Sequence, residues 1–281
     1  MTERDGRTVQ LVLHYDGAAF CGWQRQPSAR TVQGVLEEAL ARLCQRNVAA
    51  LGAGRTDAGV HATGQAVGVV VPHRWDALSL RRALNAILPD DVWIAAAHAM
   101  RSDFHARYGA VGRLYRYRIG TDDTARSPFR RRWEWAVGSP LALGALAASA
   151  TAVVGTHSFR AFAVRGTAPA HDNHLCTVAR AAWRERPGGV ELEIEANRFL
   201  HHMVRFLVGT MVDVASGRRA PDSIAVLLGA TDNSESSAPA PAHGLCLEAV
   251  QYPAELYLAS TCESFSTART LATSTGQSAP A

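Results

Sequence analysis

Asp57 stands in the run Gly54-Arg55-Thr56-Asp57-Ala58-Gly59-Val60-His61, with glycines at 52, 54, 59 and 64 around it and an arginine two residues before it. An aspartate in so tight a turn reads equally as a backbone cap. The charge pattern adds a chemical reading. A carboxylate that is to act as a nucleophile must stay ionised while shielded from water, and a nearby guanidinium favours the charged form. The glycines let a large substrate approach the backbone closely.

A second constellation is FHARYGAVGRLYRYRIG, in which Tyr108, Tyr115 and Tyr117 interleave with Arg107, Arg113, Arg116 and Arg118. Strand alternation puts Tyr115 and Tyr117 on one face and Arg116 and Arg118 on the other. This is either an ordinary strand with core tyrosines and solvated arginines, or a surface that stacks bases beside phosphate contacts. The stretch Arg126–Trp135 adds further arginines and aromatics.

The third is ANRFLHHMVRFLVG, where His201, His202 and Arg205 fall on an otherwise apolar helix. Arg205 is i+4 from His201, so the two share a face. An arginine in such a helix is costly unless paired, and Asp57 is a candidate partner. Adjacent histidines point about 100° apart on a helix, so His201 and His202 are not expected to chelate. HDNH, from His171 to His174, lacks residues to complete a site, and no metal is expected.

The elements that must position these residues follow from periodicity. Strands are expected at Val9–Tyr15, Val48–Leu51, Gln65–Val71, Val92–Ala97, Leu114–Ile119, Val178–Glu185, Val190–Ala196 and Leu245–Tyr252. Helices are expected from Thr31 as N-cap, from Ser79 to before Pro89, from Ser139-Pro140 to Gly155, from Arg198 to Ser216 closed by Gly217, and from Pro221 to Leu228. The result is two α+β halves, residues 1–120 and 121–253. Thr231 to His243 reads as a loop and 254–281 as a disordered Ser/Thr-rich tail, and neither is expected to contribute to a site.

The chain has 281 residues, 47% of them hydrophobic, which excludes a miniprotein and a disordered chain. Its 29 basic residues are all arginine and its acids number 25, a net charge of +4. Residues 101–135 alone hold nine arginines against four acids, 9 − 4 = +5, so one basic face and a phosphate-bearing partner are expected. Five scattered cysteines form no C-x-x-C pair, which argues against a disulfide framework or zinc ribbon and for a reducing cytoplasm. No apolar run approaches the ~18 residues of a membrane helix, and the charged N-terminus lacks a signal-peptide core.

Eight ordered blocks together resemble the tRNA pseudouridine synthase A family over nearly all of residues 8–253. They are YDGAAFCGWQRQ (from Tyr15), TVQGVLEEAL (from Thr31), GRTDAGVHATGQ (from Gly54), NAILPDDV (from Asn85), DFHARYGAVGRLYRYRI (from Asp103), GTHSFRAF (from Gly155), ANRFLHHMVRFLVGTM (from Ala196) and GLCLEAVQYP (from Gly244). The resemblance implies that Asp57 is the catalytic aspartate and that Arg55 helps extrude the target nucleotide and hold its phosphate. It also implies that Tyr115 stacks under the flipped uracil, that Arg205 pairs with the aspartate, and that Leu245 lies at the pocket floor. The implied fold is α+β: two fused ferredoxin-like (RRM-like) domains with mixed, mainly antiparallel sheets joined into one long sheet around a central basic cleft. The implied partners are the anticodon stem-loop of tRNA and a second copy of the chain, with no cofactor. This chain departs from relatives at HDNHLCTV and TDNSESSAPA, which affects docking rather than chemistry.

Converting uridine to pseudouridine breaks the bond from C1′ to N1, turns the base and joins C1′ to C5. Asp57 would serve by adding to C1′ or by removing the C2′ proton, and the sequence leaves both open. The target must be flipped out of its stack, which stacking on Tyr115 would offset. Two rival readings are a noncatalytic RNA-binding protein and a metal-dependent nuclease using Asp57, Asp90, Asp91, Asp122 and Asp123.

Overall fold

The architecture follows from alternating apolar strands that bury one face under helices. A computed structural model describes residues 6–167 and 173–258. In chain order the elements are β1 (Arg7–Tyr15), α1 (Val32–Cys44), β2 (Leu51–Gly52), β3 (His61–Val71), α2 (Ala77–Asn85), β4 (Val92–Ala99), β5 (Gly112–Gly120), β6 (Trp135–Ala136), α3 (Leu143–Ala152), β7 (Gly155–Ser158), β8 (Leu175–Arg186), β9 (Gly189–Ala196), α4 (Met203–Ala215), α5 (Ser223–Leu228) and β10 (Leu245–Gln251).

They form a mixed α+β structure around one ten-stranded, mostly antiparallel sheet, ordered β4-β1-β3-β10-β5-β9-β8-β7, with β2 beside β3 and β6 beside β5. In the first half the order β4-β1-β3-β2 encloses two helices. The second half repeats it as β10-β5-β9-β8 around α3 and α4. The halves meet where β10 runs parallel to the start of β3, pairing Cys246 with His61 and Leu247 with Ala62. One buried cluster runs unbroken across this seam, from Val9 and Leu11 in β1 through Leu36 and Leu40 in α1 to Tyr117, Ile194, Leu207 and Leu247.

Several boundaries move from their sequence expectations for identifiable reasons. Thr31 caps α1 as expected, its hydroxyl accepting from the Gly34 amide at 3.3 Å. Helix α2 begins earlier than Ser79, because the Asp76 carboxylate accepts from the Ser79 amide at 2.8 Å and caps the turn. Helix α3 starts at Leu143 rather than near Ser139-Pro140, since the Ala142 amide donates to the Ala215 carbonyl at 3.1 Å. The expected strand Val48–Leu51 shrinks to Leu51–Gly52. The amide of Ala50 donates to the Glu37 carboxylate and its carbonyl accepts from the Gln33 amide group, both at 3.1 Å, so neither is free for a ladder. Strand β3 begins at His61 rather than at the expected Gln65.

The expectation of disorder from residue 254 is corrected. Ala254–Leu256 forms a short 3₁₀ turn, Tyr257 bridges to Met100, and Leu256, Tyr252 and Tyr257 pack on Met100, Phe104 and Ala106. The rest of the expected tail, from 259, and His171 and Asp172 of the HDNH run lie outside the described residues.

The seam has no room for a side chain at Gly64, where an added Cβ would stand 2.1 Å from the Glu248 carbonyl oxygen. Gly64→Ala is expected to push β3 from β10 and to lower unfolding free energy by roughly 1–3 kcal/mol, measured by denaturant titration.

Candidate active site

The segment carrying Asp57 is short, spanning Ala53 to Val60 between β2 and β3, and its backbone is tied down on several sides. The Ala53 amide donates to the Ala66 carbonyl at 2.8 Å, and the Gln65 side chain donates to the Gly54 carbonyl at 2.9 Å. The Trp23 amide donates to the Thr56 carbonyl at 3.0 Å, while the Thr56 hydroxyl meets the Tyr15 hydroxyl at 2.7 Å in a buried contact. Gly22 makes this approach possible. It adopts φ +88°, and a Cβ there would lie 2.7 Å from the Thr56 carbonyl oxygen. The Asp57 carbonyl accepts from the Val60 amide at 3.2 Å, and the side chain is left 18% exposed.

Three groups from the second half converge on that carboxylate. Arg205 on α4 donates from Nη1 to Oδ2 at 3.0 Å, crossing from one half of the chain to the other. The same guanidinium donates from Nε to the Ala240 carbonyl at 2.8 Å, and the Ala240 amide returns a bond to the Arg205 carbonyl at 2.9 Å. His202 Nε2 stands 3.3 Å from Oδ2, and His201 Nε2 stands 3.5 Å from Oδ1. Burial pushes the His202 pKa down, Asp57 opposes this, and Arg205 and His201 add to it.

The histidines are therefore not splayed as a continuous helix would place them; their ring centroids are 4.1 Å apart. Helix α4 begins at Met203, and His202 before it adopts the left-handed conformation at φ 63°. The chain from Asn197 to His202 is held out of the helix. Asn197 exchanges bonds with Thr177 through its amide and side chain, and the His201 carbonyl accepts from the Val164 amide at 3.2 Å. Donor atoms of Asp57, His201 and His202 lie within 4.8 Å of one another, a spacing that fits a metal ion. The Arg205 guanidinium on the same carboxylate opposes a second cation there.

Tyr115 and Tyr117 share the helix-covered face of β5, as alternation predicts. Tyr115 is buried edge-on against Phe199, with ring centroids 5.1 Å apart; burial raises its pKa well above the usual phenol value, and the Asp57 charge pushes the same way. Tyr117 is buried and donates to the Pro241 carbonyl at 2.7 Å. Leu245, the first residue of β10, is buried directly opposite Tyr117 in the ladder. Arg55 is exposed and, among the described residues, has no hydrogen-bonded or ion-paired partner.

The remaining arginines of the β5 segment are not free for phosphate. Arg116 pairs with Glu193 at 3.1 Å and Glu248 at 3.4 Å, and Arg118 pairs with Glu191 at 3.5 Å, all on the opposite sheet face. Arg113 donates to the carbonyls of Ala53, Arg107, Ala110 and Asn197. It thereby ties β5 to the starts of both segments that carry the site. The loop before β10, expected to contribute nothing, supplies Ala240 and Pro241 as anchors for Arg205 and Tyr117. Sequence reasoning missed it because backbone carbonyls leave no signature in residue type. His202 was legible as a residue but not as a neighbour of Asp57.

An aspartate held by an arginine, in a sheet made of two like halves, is an arrangement that an enzyme working through one carboxylate could use. Residues 11–109 and 149–253 match the family described as tRNA pseudouridine synthase. Relatives named tRNA pseudouridine synthase A include one from Syntrophotalea carbinolica, 39% identical over 87% of this chain and 96% of the relative. Another, from Roseiflexus sp., is 44% identical over 88% and 91%, and one from Solidesulfovibrio magneticus is 41% identical over 88% and 91%. The chain belongs to the tRNA pseudouridine synthase family.

Arg205 makes two side-chain bonds that a lysine cannot reproduce together, since one ammonium lacks the fork that reaches both Asp57 and Ala240. Arg205→Lys is expected to lower unfolding free energy by about 1.5–3 kcal/mol and to speed amide exchange at Ala240, read by denaturation and hydrogen-exchange mass spectrometry.

Proposed function

We propose that this chain isomerises uridine to pseudouridine in the anticodon stem-loop of tRNA. The observation that carries the reading is the Asp57 carboxylate itself: mostly shielded, paired to Arg205 across the seam, and beside Tyr115. Asp57 acts at the ribose, either adding to C1′ as N1 departs and leaving C1′ again when C5 attacks, or removing the C2′ proton as N1 departs and returning it to C2′ as C5 joins C1′. After the base turns, C1′ joins C5, the C5 proton passes to water and N1 takes up a proton. The isomerisation exchanges no electrons overall and so calls for no redox cofactor.

The remaining roles are those that the family implies for these positions. Exposed Arg55, two residues from Asp57, holds the phosphate of the flipped nucleotide, Tyr115 stacks under its uracil, and Leu245 lines the floor. Each half is a ferredoxin-like unit, a reading supported by the repeated strand order, which puts β5 in the second unit and so divides the units before Gly112 rather than at the expected residue 120. The compartment is the cytoplasm, where tRNA is substrate. No helix among the described residues is long and apolar enough to cross a membrane.

A second copy of the chain covers the helix-free face. There a cavity of about 520 Å³ is lined by His14, Trp93, Arg116, Arg118, Trp133 and Glu248, and both tryptophans are exposed. Its arginines and glutamates alternate, so the face is complementary to itself.

Incubation with tRNA tritiated at uracil C5 is expected to release tritium to water with wild type and none above background with Asp57→Ala. Undiminished release by Asp57→Ala overturns the site. Release by Arg55→Ala is expected to be slower at an unchanged melting temperature, because an exposed unpaired side chain contributes within about 0.5 kcal/mol to stability. Light scattering is expected to give the mass of two chains for wild type and of one for Trp93→Glu combined with Trp133→Glu.

A further inference from the structure

The two oxygens of Asp57 are not equivalent. Oδ2 has Arg205 Nη1 at 3.0 Å and His202 Nε2 at 3.3 Å, and both come from α4 or the turn that opens it. Among the described residues, Oδ1 has only His201 at 3.5 Å, whose side chain is 45% exposed. A carboxylate gripped at one oxygen keeps its other oxygen as the better base or nucleophile, and the grip fixes where that oxygen points.

We propose that His202 is a positioning residue: its imidazole stands with Arg205 against Oδ2, 3.3 Å away and not aligned as a hydrogen bond in the free protein, donates Nε2–H to that oxygen once the nucleotide is bound, and leaves Oδ1 as the oxygen that meets the sugar. Three further observations converge on this. The ring is three-quarters buried and sits between His201 and Phe206, so it has a single place to be. Its backbone is in the left-handed region, which a β-substituted residue rarely adopts, and that conformation turns Nε2 toward the carboxylate instead of out along the helix. Burial pushes the His202 pKa down, Asp57 opposes this, and Arg205 and His201 add to it, so the net direction is toward an uncharged ring beside the arginine.

The proposal rests on the synthase reading for its kinetic test and has a separate test in the free protein. His202→Asn tolerates the left-handed turn well but places its amide short of Oδ2, whereas His202→Gln sets an amide nitrogen about as far out as Nε2. Under saturating tRNA, His202→Asn is expected to release tritium on the order of a hundredfold more slowly than wild type, with half-saturating tRNA within about twofold and an unchanged melting temperature. His202→Gln is expected to recover most of the loss. Turnover of His202→Asn within about twofold of wild type, or no recovery by a folded His202→Gln, overturns the proposal. In the free wild-type protein, the imidazole ¹⁵N shifts of His202 are expected to report a protonated Nε2 and a bare Nδ1. The opposite tautomer overturns the clamp whatever the turnover, while a wild type that releases no tritium overturns the synthase reading instead.

Discussion

The bond between Asp57 and Arg205 joins two segments 148 residues apart and is the contact around which the site is organised. A buried ion pair of this kind is weak evidence of stability, because desolvation offsets much of its Coulomb energy. Its value lies in geometry. It fixes the carboxylate of one half against the helix of the other, so neither half holds the site alone.

That bond depends on a scaffold in which both partners are themselves constrained. Asp57 lies in a segment whose backbone is fastened to Tyr15, Gly22, Trp23 and Gln65. Arg205 is fastened at both its carbonyl and its guanidinium to Ala240. Arg113 reaches from β5 to Ala53 on one side and Asn197 on the other, so this strand of the second half holds the ends of both segments. Buried guanidinium donors spent on carbonyls in this way leave few unsatisfied groups and little freedom at the site. The parallel pairing of β10 with β3 carries the same constraint through the sheet.

Much of this organisation could be read from residue types. Thr31 before an apolar stripe gave the start of α1, and Gly217 the end of α4. The alternation of Tyr115 and Tyr117 with Arg116 and Arg118 assigned their faces. The motif blocks singled out Asp57, Arg55 and Arg205. Less was readable where a side chain or a distant carbonyl captured a backbone group. Glu37 and Gln33 prevented Val48–Ala50 from forming a strand, and Ala215 delayed the start of α3. The arginines of β5 had been grouped as one basic surface, but they divide by partner: Arg116 and Arg118 face glutamates across strands, and Arg113 faces carbonyls.

What the linear chain determined by itself was local: the periods of its strands and helices, most of its caps, and the presence of one aspartate set among glycines with an arginine two residues before it. Those properties depend on residues a few positions apart, within reach of a hydrogen bond or a turn of helix. The tertiary structure alone decided that His201 and His202 both face Asp57, that Ala240 and Pro241 brace the site, and that residues 254–258 pack on Met100 and Phe104. Each of these rests on contacts between segments far apart in sequence. Residue type signals only that a group can form a bond, whereas the packing of the sheet determines which distant group it meets.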